Sequence, residues 1–353
     1  MQELSMKSDQ KLNIGIIGAG MIGDVHIGNF RRDGRAEVTC IASRTQETLD
    51  RKMKKHGISD GTLDYKELLN DPSLDAVVIA SPPFTHAQMV SDALDAGKHV
   101  LLEKPLAADI KDIETIVEQC EQHPDLLVLE CSCRHARLQP KFTFIKDMID
   151  SGALGEIYHI HHQAASRGTF IEYNPAGSWA LDKALAGGGP FIDWGVYDLS
   201  FHLGLLNDQP VLQDLCSFTR NGLKTYPDPG MKADIEEHGA AWMQFDGGLT
   251  YVYERGSGVH MEVPNQTRIY GTKGGLLFGF CSWDSPLVDF FHTDKKEKHE
   301  KLEIPNPKSH DDNMALTSHF LDCLQENTTP AMTVELAAKH LEILFALLSK
   351  TTC

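Results

Sequence analysis

Gly18-Ala19-Gly20-Met21-Ile22-Gly23 places three glycines in the pattern G-x-G-x-x-G. Each glycine of such a pattern removes a different obstacle. The first permits a tight turn, the second lets backbone approach a pyrophosphate, and the third lets a helix pack closely on a strand. The apolar run Leu12–Ile17 precedes the motif, and a helical pattern, Met21–Arg32, follows it. A helix opening there offers unpaired N–H groups and a positive dipole end to phosphate. Strand, turn and helix together predict a nicotinamide dinucleotide site contacting Gly18, Gly20, Met21, Ile22 and Gly23. The next strand ends at Ile41-Ala42-Ser43-Arg44. A carboxylate placed about 20 residues past the glycines holds the ribose 2′-hydroxyl of NAD. Here Ser43 and Arg44 offer a hydroxyl and a guanidinium instead, which suit a 2′-phosphate, and the guanidinium can stack on adenine. The expected cofactor is NADP, with NAD the alternative.

The elements that must position these residues alternate along the first half. Strands are expected at Leu12–Ile17, Ala36–Ala42, Leu74–Ala80, His99–Leu102 and Leu126–Glu130, and helices at Met21–Arg32, Gln46–His56, Phe84–Ala96 and Ile110–Gln122. Helices of this length between apolar strands mean βαβ units and a doubly wound parallel sheet, an α/β Rossmann domain over residues 1–135. After about residue 135 the pattern changes. A helix at Lys141–Asp150 leads to strands at Glu156–Ala165, Gln213–Thr219, Ala240–Phe245, Leu249–Arg255, Thr267–Gly271 and Leu276–Phe280, with a hairpin turn at Asp246-Gly247-Gly248. This predicts an α+β domain over 136–353 with an open, mostly antiparallel sheet. Asp294–Glu303 reads as a charged, solvated loop, and a helix over 333–350, N-capped by Thr333, closes the chain with the option of packing back on the first domain.

Composition narrows the partners. The chain has 353 residues, enough for two cores, and 33 basic against 50 acidic side chains give a net charge of −17. That balance argues against nucleic acid or an anionic membrane as partner. The polar start, Met1–Lys11, lacks the apolar run of a signal peptide, and no apolar stretch reaches the ~18 residues of a membrane span. Eight cysteines fit a reduced, cytoplasmic protein. Cys131, Cys133 and His135 do not have zinc-site spacing, and of His159, His161 and His162 only the first two share a strand face, so no metal is expected.

Further motifs carry a resemblance over nearly the whole chain. Ser81-Pro82-Pro83-Phe84-Thr85-His86, Glu103-Lys104-Pro105 and the run Gly187-Gly188-Gly189-Pro190-Phe191-Ile192-Asp193-Trp194-Gly195-Val196-Tyr197, joined to the N-terminal glycines, resemble the Gfo/Idh/MocA oxidoreductases. The resemblance implies pyridine-nucleotide oxidoreduction of a sugar, sugar derivative or related alcohol or carbonyl compound, and a homodimer or homotetramer built through the second domain's sheet. It implies that Lys104 is the catalytic or substrate-orienting lysine and that Pro105 follows a cis bond. It places Ser81, Pro82, Glu103, Lys104, Pro105 and Arg134 beside the cofactor; His86 and His26, which follow the cofactor motifs, are read as near the nucleotide, with a core or surface histidine as the alternative for each. Where many members have histidine four residues after the aspartate, this chain has Tyr197, similar to the glucose–fructose oxidoreductase and dimeric dihydrodiol dehydrogenase branch.

Carbonyl reduction needs hydride at carbon and a proton at the developing alkoxide. Asp193 and Tyr197, four apart, would share one helix face. A free phenol titrates near ~10, and a lysine ammonium nearby stabilises the phenolate. Tyr197 is therefore expected as acid/base with Lys104 as electrostatic partner; the reverse assignment stays open. Asp193 would hold a substrate hydroxyl or orient Lys104. The bland alternatives are a helix cap for Asp193 and a core aromatic beside Trp194 for Tyr197. Arg167 and Trp179, in the loop before the glycine run, are expected to wall the substrate pocket. Two rival functions remain: cleavage or epimerisation of a glycoside through transient oxidation by retained NAD, and nucleotide sensing without catalysis.

Overall fold

Four consecutive residues of Ala76–Ile79 have no solvent exposure at all, so this strand needs cover on both faces, as only an interior parallel strand has. The computed structural model describes residues 11–173, 175–224, 226, 232–294, 296–305 and 310–349. Residues 1–10 of the polar N-terminal stretch and Lys350, the expected end of the last helix, lie outside the described residues. The chain forms two compact units, one from the described residues of 1–134 and 311–338, the other from those of 135–310 and 339–353.

In the first unit β1 (Leu12–Ile17), β2 (Ala36–Ala42), β3 (Asp60–Thr62), β4 (Ala76–Ile79), β5 (His99–Leu102) and β6 (Val128–Glu130) make one parallel sheet in the order 3-2-1-4-5-6. The intervening helices are α1 (Met21–Asp33), α2 (Gln46–His56), α3 (Tyr65–Leu69), α4 (His86–Asp95) and α5 (Ile110–Gln122). Their ends follow local chemistry. Thr45 and Asp109 cap α2 and α5 by accepting from the amides of Thr48 and Asp112, while Gly34 and Gly57 end α1 and α2 with left-handed φ of 83° and 64°. Strand order reverses between β1 and β4, the place where doubly wound sheets take ligands beyond their carboxyl ends. The short β3 and α3 went unexpected because three and five residues are too few to show a period.

In the second unit β7 (Ile157–Ser166), β8 (Leu212–Arg220), β9 (His238–Phe245), β10 (Thr250–Ser257), β11 (Val263–Gly271), β12 (Gly274–Phe278), β13 (Leu287–Asp294) and β14 (Lys296–Glu303) form a sheet in the order 14-13-12-11-7-10-9-8. Every pair is antiparallel except β7 with β10. The helices that follow β6 are α6 (Pro140–Asp150), α7 (Phe170–Tyr173), α8 (Lys183–Ala186), α9 (Pro190–Asp193), α10 (Gly195–Gly204), α11 (Asp312–Gln325) and α12 (Val334–Ser349). All ten residues of α10 are buried, and Phe201 on it packs against Phe278 and Phe280.

Two features depart from the sequence reading. The charged segment expected as a loop over Asp294–Glu303 is instead the outer strand β14, paired with β13 from Leu287↔Glu303 onward. Its charges find partners across the pair (His299 with Asp289, Glu300 with His292), and His299 stacks on Phe291 at 4.5 Å. Such a charged edge resists further strand pairing. Among the cysteines, Cys40, Cys120, Cys131, Cys133, Cys281 and Cys323 are free thiols, but Cys216 is disulfide-bonded, contrary to the expectation of reduced cysteines.

Segment 311–338 belongs with the first unit. Arg35 bonds Asp322, Arg32 bonds Asp311, and Phe30 meets Phe320 edge-on at 6.4 Å. Thr333 caps α12 by accepting from the Leu336 amide at 3.4 Å.

Candidate active site

Five carboxyl ends of the parallel sheet bring the expected cofactor-side residues to one edge of the first unit. β1 runs into Gly18, β2 into Ser43 and Arg44, β4 into Ser81 and Pro82, β5 into Glu103, Lys104 and Pro105, and β6 into the short turn before Arg134. The glycines differ in what holds them. Gly18 has a φ of +103°, and a Cβ there would lie 2.7 Å from the Ala80 carbonyl carbon. A Cβ on Gly23 would stand 2.3 Å from the Gly18 oxygen. Gly20 is not required by the fold: its φ is −76°, and a Cβ would have nothing within 4 Å. No side chain caps α1 at this point. An open glycine beside an uncapped helix N-terminus fits a pyrophosphate.

Around this turn the structure adds residues that the sequence reading missed. Lys52, buried on α2, reaches the Gly20 carbonyl at 3.4 Å and Asp24 at 2.5 Å. Burial alone would raise the pKa of Asp24, but Lys52, Lys55 and His56 hold it down to about 2. Ser43 is buried, its amide bonded to Thr62 at 3.0 Å, while Arg44 is exposed.

Glu103 is buried at the end of β5. Arg134 donates to it at 2.7 Å, and His26 Nε2 lies 2.8 Å away. Burial works to raise its pKa, yet Arg134 and His26 win and keep it well below the usual carboxylate range. Donor atoms of His26, Glu103 and Cys131 lie within 4.8 Å of one another. Burial and Glu103 push that thiol well above its ordinary range, and Glu103 already serves Arg134. The Lys104–Pro105 bond is cis. His86 is fully buried, its ring lying between the Ser81 and Pro105 carbonyls at 3.0 Å from each.

In the second unit, the expected single helix face for Asp193 and Tyr197 is interrupted. Asp193 ends α9, Trp194 intervenes, and Tyr197 lies in the first turn of α10 with its amide bonded to the Trp194 carbonyl at 2.9 Å. The cap of α9 is Glu236, which accepts from Gly189 and Phe191 at 2.8 and 2.9 Å. A Cβ on Gly189 would fall 1.9 Å from the Glu236 carbonyl oxygen, so the glycine run is needed for this close approach. Tyr197 is 2% exposed and belongs to the core with Ala136, Phe201 and Phe278. Its ring meets His135 at 4.9 Å and Trp194 at 5.6 Å.

Beneath the next residue of α10 runs a buried polar chain. Asp198 takes two bonds from Arg255 (2.7 and 2.6 Å) and one from the Tyr253 hydroxyl (2.9 Å). His162 and His202 meet at Thr267, each 2.9 Å from its hydroxyl, and Tyr251 lies 2.7 Å from His202. Burial lowers the pKa of both histidines well below normal. Arg255 in turn lies over the Trp194 ring at 5.0 Å. Arg167 is exposed and lines an open cleft of about 430 Å³ with Gly168, Glu172, Lys224 and Glu262; Asp193 and Tyr197 do not line it. Trp179 sits half-buried in a short 3₁₀ helix, Pro175–Leu181.

Residues 12–130 match the oxidoreductase family with an NAD-binding Rossmann fold, and residues 142–277 match the GFO/IDH/MocA C-terminal domain. The chain belongs to the Gfo/Idh/MocA oxidoreductases. It is thus a nicotinamide-dependent oxidoreductase. Among its relatives, myo-inositol 2-dehydrogenase of Thermotoga maritima is 24% identical, covering 75% of each chain. D-xylose 1-dehydrogenase (NADP+) of Haloarcula marismortui is 26% identical over 72% of this chain and 66% of the relative. An NAD-binding oxidoreductase of Klebsiella pneumoniae shares the fold at a TM-score of 0.81, with 22% identity and 97% and 96% of the two chains covered. No helix among the described residues of this Gfo/Idh/MocA chain is long and apolar enough to cross a membrane.

Proposed function

We propose that this protein is an NADP-preferring dehydrogenase, or reductase in the other direction, acting on a CH–OH group of a sugar or sugar-like polyol. The open Gly20 beside the uncapped N-terminus of α1 carries the dinucleotide half of this reading. Ser43 and the exposed Arg44 at the end of β2 favour the phosphorylated cofactor. The names of the relatives, which specify myo-inositol and D-xylose, support the substrate class. When bound, the nicotinamide gives or accepts hydride at the reacting carbon. Lys104 supplies positive charge where the alkoxide develops, Tyr197 gives or takes the hydroxyl proton, and Asp193 holds a neighbouring hydroxyl. Glu103, held by Arg134 and His26, accepts the Lys104 amide at 3.3 Å and so fixes the backbone that carries Lys104. Gly18, Met21, Ile22, Gly23, Ser81, Pro82, His86 and Pro105 complete the cofactor side, and Arg167 and Trp179 wall the substrate side.

The assembly proposed for this protein is a homodimer or homotetramer. The open face of the eight-stranded sheet supports this assembly, because Phe218, Trp242, Tyr270 and Phe291 are exposed on that one face, Tyr270 and Phe291 in the same cross-strand row. The function is tested by screening pyranoses, inositols and open-chain polyols with NADP and NAD in parallel, on the wild type and on Tyr197→Phe. The substitution should lower kcat by roughly 10²–10⁴ with cofactor affinity retained. Unchanged turnover on the substrate identified would remove Tyr197 from proton transfer.

A further inference from the structure

Trp283 is 60% exposed, an unusual place for an indole, since a large apolar ring left in water costs free energy. Its loop is nonetheless tightly held. Lys141, a buried lysine, donates to the carbonyls of Gly279 and, at 2.9 Å, Cys281. Asp284 accepts from the Cys281 amide at 2.9 Å and returns its own amide to the Cys281 carbonyl at 3.0 Å. The indole meets His135 edge-on at 5.1 Å and Trp194 edge-on at 6.1 Å. His135 then contacts Tyr197 at 4.9 Å. Four rings of one unit thus run from the fully buried Tyr197, through half-buried His135 and Trp194, to an exposed, preorganised face. Arg255 fixes Trp194 from below at 5.0 Å.

We infer that Trp283, with Trp194 and His135, forms an aromatic platform that receives the C–H face of a cyclic substrate, a pyranose or an inositol, in preference to an open-chain polyol. The assignment rests on the sugar-directed function proposed above. A six-membered ring sugar presents a flat patch of C–H groups that a rigid indole can cover, while its hydroxyls project from the rim towards polar partners. An open-chain polyol has no such face and loses rotational freedom on stacking. Trp283 is therefore a specificity-determining residue.

The test compares the wild type, Trp283→Ala and Trp283→Phe across pyranoses, inositols and open-chain polyols, with oligomeric mass and NADP affinity measured beside the kinetics. The alanine variant should raise KM for ring substrates about tenfold, near the upper range of one aromatic contact. It should leave kcat within about twofold, and phenylalanine should recover most of the loss. An unchanged KM on a ring substrate that the wild type oxidises overturns the platform alone, as does a wild type that oxidises only open-chain polyols. A change in oligomeric mass with KM unchanged assigns Trp283 to a subunit contact and also overturns it. No turnover of any sugar by cofactor-loaded wild type overturns the sugar reading, and the platform with it.

Discussion

Glu130 shows how a single buried group couples the first unit to pH. It ends β6, almost wholly buried, and accepts the Ser132 amide at 2.7 Å. Burial pushes its pKa up to about 7 from the ordinary 4.5, with Glu103 adding to the rise against the pull of Ser132. Between those two pH values the folded chain keeps a proton that the unfolded chain releases. Stability from this group is therefore full below about pH 4.5 and lost as pH rises to about 7. Glu130→Gln keeps an acceptor for Ser132 and removes the titration. The variant should gain on the order of 3 kcal/mol relative to wild type between pH 5 and pH 8, measured by denaturant unfolding; parallel pH profiles would show that Glu130 does not govern this limb. Residues of this kind were hard to see in the sequence. The glycines and the Glu-Lys-Pro motif announce themselves by local spacing. Glu236 serves a helix 45 residues earlier, and Arg255 meets Asp198 across 57 residues, so no local pattern marks them.

At the scale of the element, the turn between β1 and α1 separates structural glycines from a ligand-facing one. Gly23→Ala forces a methyl to 2.3 Å from the Gly18 oxygen, which is backbone and cannot move aside cheaply. That variant should lose roughly 2–3 kcal/mol of stability, as an overpacked core does. Gly20→Ala meets open space and should melt like wild type while binding NADP at least tenfold more weakly, because its methyl occupies the approach of the pyrophosphate. Equal NADP affinity in calorimetric titration would mean that the open glycine faces no phosphate. The elements most legible in sequence were those whose pattern is set by burial: β4 and β5 are apolar throughout because both faces are covered. β14 hid because the partners that neutralise its charges lie on β13.

For the whole molecule, the net charge of −17 bears on cofactor choice. At long range it repels NADP more than NAD, since NADP carries the additional phosphate. Preference for NADP must then arise within a Debye length, about 8–10 Å at ordinary salt, and Arg44 is the cation at the end of β2 that can provide it. Binding to the folded first unit stabilises it by mass action, by about 2.7 kcal/mol at one hundred times Kd. For a unit of this size, at roughly 2–4 °C per kcal/mol, that raises the melting transition by roughly 5–11 °C. The second unit has its own core and need not share the shift. NADP should therefore raise the melting temperature more than NAD at equal concentration, and Arg44→Ala should bring the NADP shift down to that of NAD. Replacing Trp283 should leave both shifts unchanged, because that ring belongs to the second unit. A NAD shift equal to or above that of NADP in the wild type would reverse the cofactor assignment. It would leave the glycine turn intact as a dinucleotide site, because Gly20 is open whichever ribose the cofactor carries.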